Sequence, residues 1–562
     1  MIILSFITNV NMKKTRIILL VFIFTYSFFS IAQNNKKQLN VVWISCEDMG
    51  PILGSYGNEI IKTPNLDKLA SEGVRYTNAY STVGVCAPSR FSIITGMYSA
   101  RIGAHNMRTG DFHNFKTPEQ VTYRSDIGVI DKEGVNIPEY EVVPPTYVKP
   151  FTEILRKEGY YCANNFKCDY QFNSPFTAWD EVSSTVSFRD APKDKPFFYV
   201  WNTLLTHESR IWERSNEPLT VNPNDVIIPD YFPDIPEVRN DIARKYSNIE
   251  AMDKKVGELI QQLEEDGLLS NTIIMFWSDH GGNLLRQKRA VGNSGLNVPL
   301  IIRYPNKRDA GKVDNRIVSL MDLGPTVLSL LNIKPPKHFD GKAIAGVFEE
   351  RPRKYAFGTA DRFDESTDMQ RSVLDGRYVY IRNFMPEKPL IYRNKYRERI
   401  NMNSKLIELD SLDRLKGDAQ YIFMKTKPFE EFYDLSNDPY EINNLINNDK
   451  YRGKINEFRS ALENWQEEIN DKGFIAENKI IKSFWPNMIQ PKTESVSFNQ
   501  IDEGLYELNS ATTGASIGYQ IDEKIGTNNW SLYHEPIIIG EKQKVVARAI
   551  RIGYKASDIT SN

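Results

Sequence analysis

The sequence predicts an α/β fold in which a mostly parallel β-sheet is sandwiched by helices. Apolar runs typical of buried strands occur at 41–44, 197–201, 273–277 and 298–302. Amphipathic patterns with helix start and stop residues lie between them, and strands that alternate with helices indicate a parallel sheet. We therefore expect all four runs to be buried parallel strands. A smaller α+β subdomain and a short terminal β module are predicted to follow.

The predicted helices have clear boundaries. Thr63 and Pro64 are expected as N-cap and first-turn proline of a helix that Gly73 ends, and 150–159 repeats this design. The stretch 236–269 is amphipathic and long enough for one helix or two. A further helix is expected around 451–468.

Changes in composition divide the chain into four predicted segments. They are a signal peptide at 1–32, a catalytic domain at 38–370, an α+β subdomain at 371–490 and a β module at 495–562. In the first segment, basic residues after Met12 precede a short apolar run and the cleavage-site pattern Ser30-Ile31-Ala32. Met12 is an alternative start. This pattern predicts a periplasmic or secreted protein without membrane association after cleavage, and an uncleaved membrane anchor is the alternative.

The composition is that of a soluble globular protein, with 41% hydrophobic and 25% charged residues. The formal net charge of −2 argues against nucleic acid as a partner, because no basic excess is available to neutralise phosphates. An anionic substrate is compatible with this charge, since a pocket can be locally basic.

Titratable side chains follow three of the predicted strands at their carboxyl ends. Glu47 and Asp48 come after the first run, His207 after the second, and Asp279 and His280 after the third. Ligands of open α/β sheets bind at this edge. We therefore expect these residues to meet in one site.

The four cysteines differ in their surroundings. They are too few for a disulfide scaffold in a chain of 562 residues. Cys46 lies in an apolar run and is expected in the core, whereas Cys162 and Cys168 are close enough in sequence to pair. Cys86 opens Cys-Ala-Pro-Ser-Arg at a predicted helix start, where the helix dipole favours an anion.

The Cys86 motif, with Thr95-Gly96 downstream, resembles that of the type I sulfatases in the alkaline-phosphatase-like superfamily. The resemblance extends from Asn40 to about Asn447 and includes NVVWISCEDMG, FWSDHGG and FYDLSNDPYEINNL. It implies oxidation of Cys86 to formylglycine by a maturation enzyme, and attack by the aldehyde hydrate on a sulfate group. Within the family, the segment around 230–260 is similar to heparan N-sulfatase (sulfamidase) and to bacterial polysaccharide sulfatases.

The resemblance also implies a divalent cation. The positions that match the family's ligands are Glu47, Asp48, Cys86, Asp279 and His280. Three carboxylates form a hard oxygen site that suits Ca²⁺, with Mg²⁺ as the alternative. Glu47 replaces the commoner Asp, and His280 is a softer ligand than Asn.

Further catalytic residues are carried over position by position. Arg90 matches the arginine that holds the formylglycine, while Lys167, His207 and Lys288 match residues that contact the sulfate. Arg286 and Arg289 compete with Lys288 for its role. Asp169 stands where the family has a proton-accepting histidine, so it is either the base or a residue that positions substrate.

These features predict a sulfatase that acts on a sulfated polysaccharide or its oligosaccharides, such as ulvan or a glycosaminoglycan. His105, Arg108, Arg210 and the loop 362–365 are candidate substrate contacts, because arginine suits a uronate or a second sulfate. The alternatives are a sulfamidase, a phosphatase or phosphonate hydrolase, and an inactive carbohydrate-binding relative. The cysteine at position 86 argues against the phosphatase, and retention of the catalytic set argues against loss of activity. The terminal β module is expected to pack against the rest of the protein, and the sequence indicates no other role for it.

Overall fold

A computed structural model describes residues 38–562 of the chain, and Leu39–Asn562 form one compact unit. The predicted signal peptide lies outside the described residues. Among the residues described, none of the helices is both long and apolar enough to cross a membrane.

The centre of the molecule is an eight-stranded sheet with the spatial order β4-β3-β5-β1-β6-β7-β2-β8. Its strands are β1 (Asn40–Cys46), β2 (Val74–Tyr80), β3 (Tyr161–Asn165), β4 (Glu181–Ser183), β5 (Phe197–Asn202), β6 (Thr272–Ser278), β7 (Asn297–Arg303) and β8 (Lys312–Ser319).

Most neighbouring strands of this sheet are parallel, which confirms the predicted fold class. The run β4-β3-β5-β1-β6 is parallel throughout, and β2 is parallel to β8. The expectation for 298–302 is wrong in direction, because β7 is antiparallel to both β6 and β2. The connection 279–296 between β6 and β7 is long enough for either direction, since a parallel crossover needs about a dozen residues, so its length does not set the direction of β7.

Helices cover both faces of the sheet. They are α1 (Pro64–Ser71), α2 (Cys86–Thr95), α3 (Ser99–Ile102), α4 (Phe151–Lys157), α5 (Ser209–Glu213), α6 (Pro236–Glu265), α7 (Asn293–Leu296), α8 (Leu323–Leu330), α9 (Asn401–Ser411), α10 (Arg452–Ile469) and α11 (Glu477–Phe484). Strand β1 shows the two layers directly. Val41 and Trp43 pack in the core with α2, α4 and α8, while Val42 and Ile44 pack in the core with α1, α6 and α9.

The helix boundaries are close to those predicted. The stretch from residue 236 is one helix, α6, of 30 residues. Helix α1 ends at Ser71 without a left-handed glycine. Gly73 is instead required by close packing, since a Cβ there would lie 2.5 Å from the carbonyl oxygen of Ile302.

A second, antiparallel sheet has the order β12-β11-β10-β9. Its strands are β9 (Ala356–Ala360), β10 (Gln370–Leu374), β11 (Tyr378–Asn383) and β12 (Glu430–Asp434). Helix α10 packs on it through Phe458, Leu462 and Trp465. Because the sheet begins at Ala356, the predicted segment boundary after residue 370 falls inside it.

The terminal β module contains two small sheets around a shared apolar core. Its strands are β13 (Val496–Asp502), β14 (Leu505–Ser510), β15 (Ser516–Ile521), β16 (Ser531–Leu532), β17 (Ile537–Ile538), β18 (Val545–Ile550) and β19 (Thr560–Ser561). Buried contacts attach it to the region around α4. Glu153 accepts a hydrogen bond from Ser516 at 2.8 Å, and Arg156 donates one to the carbonyl oxygen of Trp530 at 2.6 Å.

Candidate active site

Four adjacent parallel strands deliver polar side chains to one edge of the large sheet. Lys167 follows β3, His207 follows β5, Glu47 and Asp48 follow β1, and Asp279 and His280 follow β6. Because β3, β5, β1 and β6 are neighbours in this order, their carboxyl ends meet. The sequence-based expectation of a common site therefore agrees with the topology.

Cys86 is the first residue of α2 and has almost no exposed surface. Its sulfur lies 3.6 Å from Glu47 Oε2, 3.4 Å from His280 Nε2 and 3.6 Å from Lys288 Nζ. Burial, with the charge of Asp279 second, raises the pKa of the Cys86 thiol well above that of an ordinary thiol. The unmodified side chain is therefore protonated at neutral pH and a poor nucleophile.

Three buried carboxylates surround this cysteine, and each is paired with a buried cation. Glu47 contacts Arg90, and its Oε2 lies 2.5 Å from Lys167 Nζ. Asp279 Oδ2 accepts from Arg90 Nε at 3.2 Å. The cations reduce the mutual repulsion that three neighbouring carboxylates would otherwise have.

Asp48 is the most highly connected of the three acids. Its Oδ2 lies 2.7 Å from Lys288 Nζ and accepts from the backbone amide of Glu208, also at 2.7 Å, while Oδ1 lies 3.0 Å from His280 Nε2. Burial would raise the pKa of Asp48, but Lys288 and the two histidines hold it well below its usual range. Asp48 itself has a left-handed backbone conformation, with φ of 52°.

The donor atoms are close enough together to hold a metal ion. One ligand atom each of Asp48, Cys86, Asp279 and His280 lies within 4.8 Å of the others, and the same is true of Glu47, Asp48, Cys86 and His207. Two of the four donors in each set are carboxylate oxygens, which suit a hard divalent cation. All five predicted ligands belong to this cluster.

The predicted catalytic cations surround the same point. Lys288, not Arg286 or Arg289, reaches Asp48 and Cys86. Arg286 donates to backbone carbonyls of Tyr440 and Glu441, and Arg289 pairs with Glu208 at 3.1 Å. The sequence alone could not say which of these three basic side chains lies in the site, and in the structure it is Lys288.

His207 stands beside Lys288, with 3.4 Å between its Nε2 and Lys288 Nζ. Burial, together with the charge of Lys288, lowers the pKa of His207 to about 4. The imidazole is therefore neutral at neutral pH. The negative charge of a bound anion would favour the protonated imidazolium and so raise the pKa of His207.

Asp169 lies next to Lys167 and to a histidine that the sequence analysis did not select. Its Oδ2 is 3.7 Å from Lys167 Nζ and 3.9 Å from His113 Nδ1. Backbone hydrogen bonds fix this arrangement, because Cys168 and Asp169 donate to the carbonyl oxygens of His113 and Phe112. Burial would raise the pKa of Asp169, but His113 and Lys167 hold it well below its usual range.

A cavity of about 540 Å³ opens above the cysteine. Cys86, Lys167, Asp169, His207 and Lys288 lie in its wall. The outer wall contains Met107, Arg108, His113, Arg124, Ile127, Val129, Leu204, Ser209, Asp364, Glu365, Asn394, Lys395 and Tyr396. The predicted catalytic residues thus lie in the wall of a pocket large enough for a sugar.

The candidate substrate contacts divide into two groups. Arg108 lines the cavity, bonded to Asp364 at 2.6 Å, and Asp364 and Glu365 of the predicted loop line it as well. The other candidates are not among the lining residues. Arg210 pairs with Glu213 at 2.5 Å on the surface of α5, and its predicted contact with substrate stays a prediction.

His105 is also absent from the cavity wall. It is buried, and its charged neighbours are Asp361, Arg371, Asp471 and Glu477. Burial lowers its pKa, which suits a neutral structural histidine. Its predicted contact with substrate stays a prediction.

The cavity also contains residues that the sequence analysis missed, among them His113, Arg124, Lys395 and Tyr396. They lie on irregular segments between strands, where no periodic pattern indicates which side chain points inward.

The free cysteines give a further result. Cys162 and Cys168 are both unpaired and buried, so the disulfide that their spacing allows is not formed.

Comparisons with known proteins point in one direction. A family model described as "Sulfatase" matches residues 39–333. An ulvan-active sulfatase of Formosa agariphila is 39% identical over 558 residues, which cover 92% of this chain and 90% of that protein. Human N-sulphoglucosamine sulphohydrolase is 25% identical over 488 residues, which cover 80% of this chain and 94% of that protein. A solved structure described as a 2-O GAG sulfatase shares the fold, with a TM-score of 0.54 at 18% identity over 78% of this chain and 93% of that one.

Proposed function

The chain belongs to the sulfatase family of sulfate ester hydrolases, and we propose that it desulfates an anionic polysaccharide or its oligosaccharides. The observation that carries this proposal is the position of Cys86. It lies at the base of a carbohydrate-sized cavity, with Lys167, Lys288 and His207 in the same wall. These are the charges and donors that a bound sulfate group needs.

We propose that Cys86 acts after conversion to formylglycine, whose hydrate supplies the nucleophilic oxygen. The high pKa of the thiol supports this, since the unmodified cysteine would stay protonated. The maturation enzyme that performs the conversion is then a required partner. Arg90 positions the neighbouring acids, because it bonds Glu47 and Asp279 from the second turn of α2.

We also propose a divalent cation, Ca²⁺ or Mg²⁺, held by Glu47, Asp48, Asp279, His280 and the side chain at position 86. When bound it would attract the sulfate oxygens and the nucleophilic group as a Lewis acid. The protein's own cations then act on the substrate. Lys167 and Lys288 bind sulfate oxygens, and Lys288 or His207 gives a proton to the bridging oxygen as the bond to sulfur breaks.

Asp169 and His113 are candidates for the proton acceptor in the step that frees the sulfate. The low pKa of Asp169 makes its carboxylate a weak base. His113 lies 3.9 Å away in the same cavity wall, and histidine is the side chain that most often transfers protons in enzymes. We therefore propose that His113 accepts the proton and that Asp169 orients it together with Lys167.

The outer wall of the cavity supports a substrate with further negative charge. Arg108, Arg124 and Lys395 converge there from three separate segments of the chain. A uronate carboxylate or a second sulfate beside the reacting group would pair with them. The likeness to the ulvan-active sulfatase of Formosa agariphila makes ulvan our first candidate substrate. Such a polymer is met outside the cytoplasm, so we further propose a periplasmic or secreted location.

Sulfate release from purified protein tests the function. The protein is made with a formylglycine-generating enzyme, and peptide mass spectrometry should show the aldehyde at position 86. Oligosaccharides of ulvan, carrageenan and heparin are then assayed. We expect sulfate from ulvan, with Cys86→Ala at the background rate and Cys162→Ala, another buried free thiol, close to wild type. An active protein with an unmodified Cys86 thiol would contradict the mechanism.

N-sulfoglucosamine hydrolysis is a second candidate, supported by the similarity to the human N-sulphoglucosamine sulphohydrolase. The heparin oligosaccharides distinguish the two. Loss of the N-sulfate from heparin, without release of sulfate from ulvan, would replace the first candidate by the second.

A further inference from the structure

The segment from Phe112 to Ile127 separates two cavities. His113, Arg124 and Ile127 line the catalytic cavity, whereas Phe115, Lys116, Val121 and Tyr123 line a second one of about 530 Å³. The two cavities therefore share one wall. A chain-like ligand that leaves the first can continue over this wall into the second.

The second cavity, which we name the module groove, lies between the catalytic region and the terminal β module. Its catalytic side consists of the segment 115–123, Glu141 and 173–176. The opposite side consists of Gln490, Lys492 and the stretch Arg548 to Ala556. We propose that the module groove is a second binding site for the anionic polysaccharide, separate from the site that removes sulfate.

The walls of the module groove are fixed relative to each other. Trp485 donates to the carbonyl oxygen of Gly553 at 3.0 Å, and Gln490 bridges this carbonyl oxygen and the hydroxyl of Tyr123. Lys149 donates to Ser516 at 2.8 Å. A preformed groove of this kind binds without the entropic cost of ordering the module.

The charges of the lining favour a polyanion. Lys116, Lys492, Arg548 and Lys555 contribute four cations, against the carboxylates of Glu119 and Glu141. Glu119 pairs with Arg548, Lys492 with Asp558 and Lys116 with Asp111, but these acids are largely exposed, with 63%, 76% and 72% of their side-chain surface accessible. Surface pairs of this kind are weak, so an anionic sugar can replace the acids. Lys555 forms no ion pair within residues 38–562 and is free to bind it.

The uncharged part of the lining suits carbohydrate. Phe115, Phe176 and Tyr554 provide aromatic surface, and Asn173 and Gln490 provide amide groups. Aromatic rings with a few polar groups are the usual surface of a small-molecule site. Glu141 also lines the groove, but its two carboxylate oxygens accept hydrogen bonds from the Tyr123 hydroxyl and from the backbone amide of Asn173. These bonds offset its repulsion of an anionic ligand.

The inference rests on the proposed function, because the polymer bound is the substrate. Its test therefore measures binding separately from turnover. The groove variant is Lys492→Glu/Lys555→Glu. The matched control is Lys255→Glu/Lys405→Glu, which reverses an exposed lysine on α6 and a partly exposed one on α9, on the other side of the sheet. Both are made in the Cys86→Ala background for affinity electrophoresis in gels that contain ulvan, and in active protein for kinetics.

We expect the groove variant to bind ulvan about fivefold more weakly or worse, because two attractive contacts become repulsive. Its KM for the polymer should rise by a similar factor, while kcat/KM for a short ulvan oligosaccharide and the control pair remain at wild-type values. Wild-type binding by the groove variant would overturn the proposal. So would an equal loss on polymer and oligosaccharide, or an equal loss in the control. If wild-type enzyme releases no sulfate from the oligosaccharide, the function fails independently of the binding result.

Discussion

At the scale of single residues, the proposed roles of His113 and Asp169 in releasing sulfate can be tested separately. If His113 is the proton acceptor, His113→Ala should slow turnover by about a hundredfold. Asp169→Asn should have a smaller effect, since it changes the orientation of the base but leaves it in place. Steady-state kcat and the burst of desulfated sugar measure both variants, with His534→Ala, an exposed histidine of the terminal module, as control. A larger loss in Asp169→Asn than in His113→Ala would assign the base to Asp169.

The pairing of Glu47, Asp48 and Asp279 with Arg90, Lys167 and Lys288 predicts how the protein responds to metal removal. These buried charges compensate each other within the protein. We therefore expect chelation to abolish sulfate release without unfolding the chain, and Ca²⁺ to restore it. Activity and near-ultraviolet circular dichroism are followed together during chelation. Full activity with no metal detected by elemental analysis would refute the metal site.

At the scale of elements, a buried ion pair connects the second sheet to the loop after α10. Arg371 of β10 bonds Asp471 through two donors, at 2.6 and 2.9 Å, and also contacts Asp361. Asp471→Asn should cost about 3 kcal/mol or more at neutral pH, because it weakens the compensation of a buried arginine. The apparent Tm measures this, and Asp449→Asn, which affects an exposed pair with Arg452, should leave it unchanged.

This pair also gives a pH dependence with a definite sign. Burial would raise the pKa of Asp471, but Arg371 outweighs it and lowers the pKa to about 2. An unfolded aspartate has a pKa of about 3.9. The stabilisation is therefore present above this pH and is lost as the pH falls towards the folded-state pKa of about 2. The difference in Tm between wild type and Asp471→Asn should therefore shrink below pH about 4. A constant difference down to the lowest pH at which the protein folds would contradict this assignment.

The elements also show how far the sequence predicts this site. Glu47, His207 and Asp279 could be located because each follows an apolar run, and strand ends converge in any parallel sheet. The direction of β7 could not be predicted, because an apolar run has the same composition in either orientation. Lys288 could not be separated from Arg286 and Arg289, because only the three-dimensional path of that loop decides which side chain reaches Asp48.

At the scale of the whole molecule, the terminal module is part of the folded unit. Its contacts satisfy buried polar groups of the catalytic region, such as Glu153 and Arg156 near α4. Deletion of 492–562 removes these bonds and the ring contact between Phe176 and Trp530, although Glu153 and Arg156 keep their bonds to Thr177 and Asp180. We expect the apparent Tm to fall by about 5 °C or more. An unchanged Tm in calorimetry would show that the module is energetically independent.

The complete burial of α2 has a consequence for the order of events during biosynthesis. All ten residues of this helix, from Cys86 to Thr95, are buried. A modifying enzyme has to hold the peptide around its target, so it must reach Cys86 while this stretch is still extended. We therefore expect that protein folded without modification stays inactive when the modifying enzyme is added later, and accepts the modification only after unfolding. Peptide mass spectrometry before and after denaturation would show this, and efficient conversion of the folded protein would contradict it. The cell then has one opportunity to activate each molecule, which ends when the chain folds.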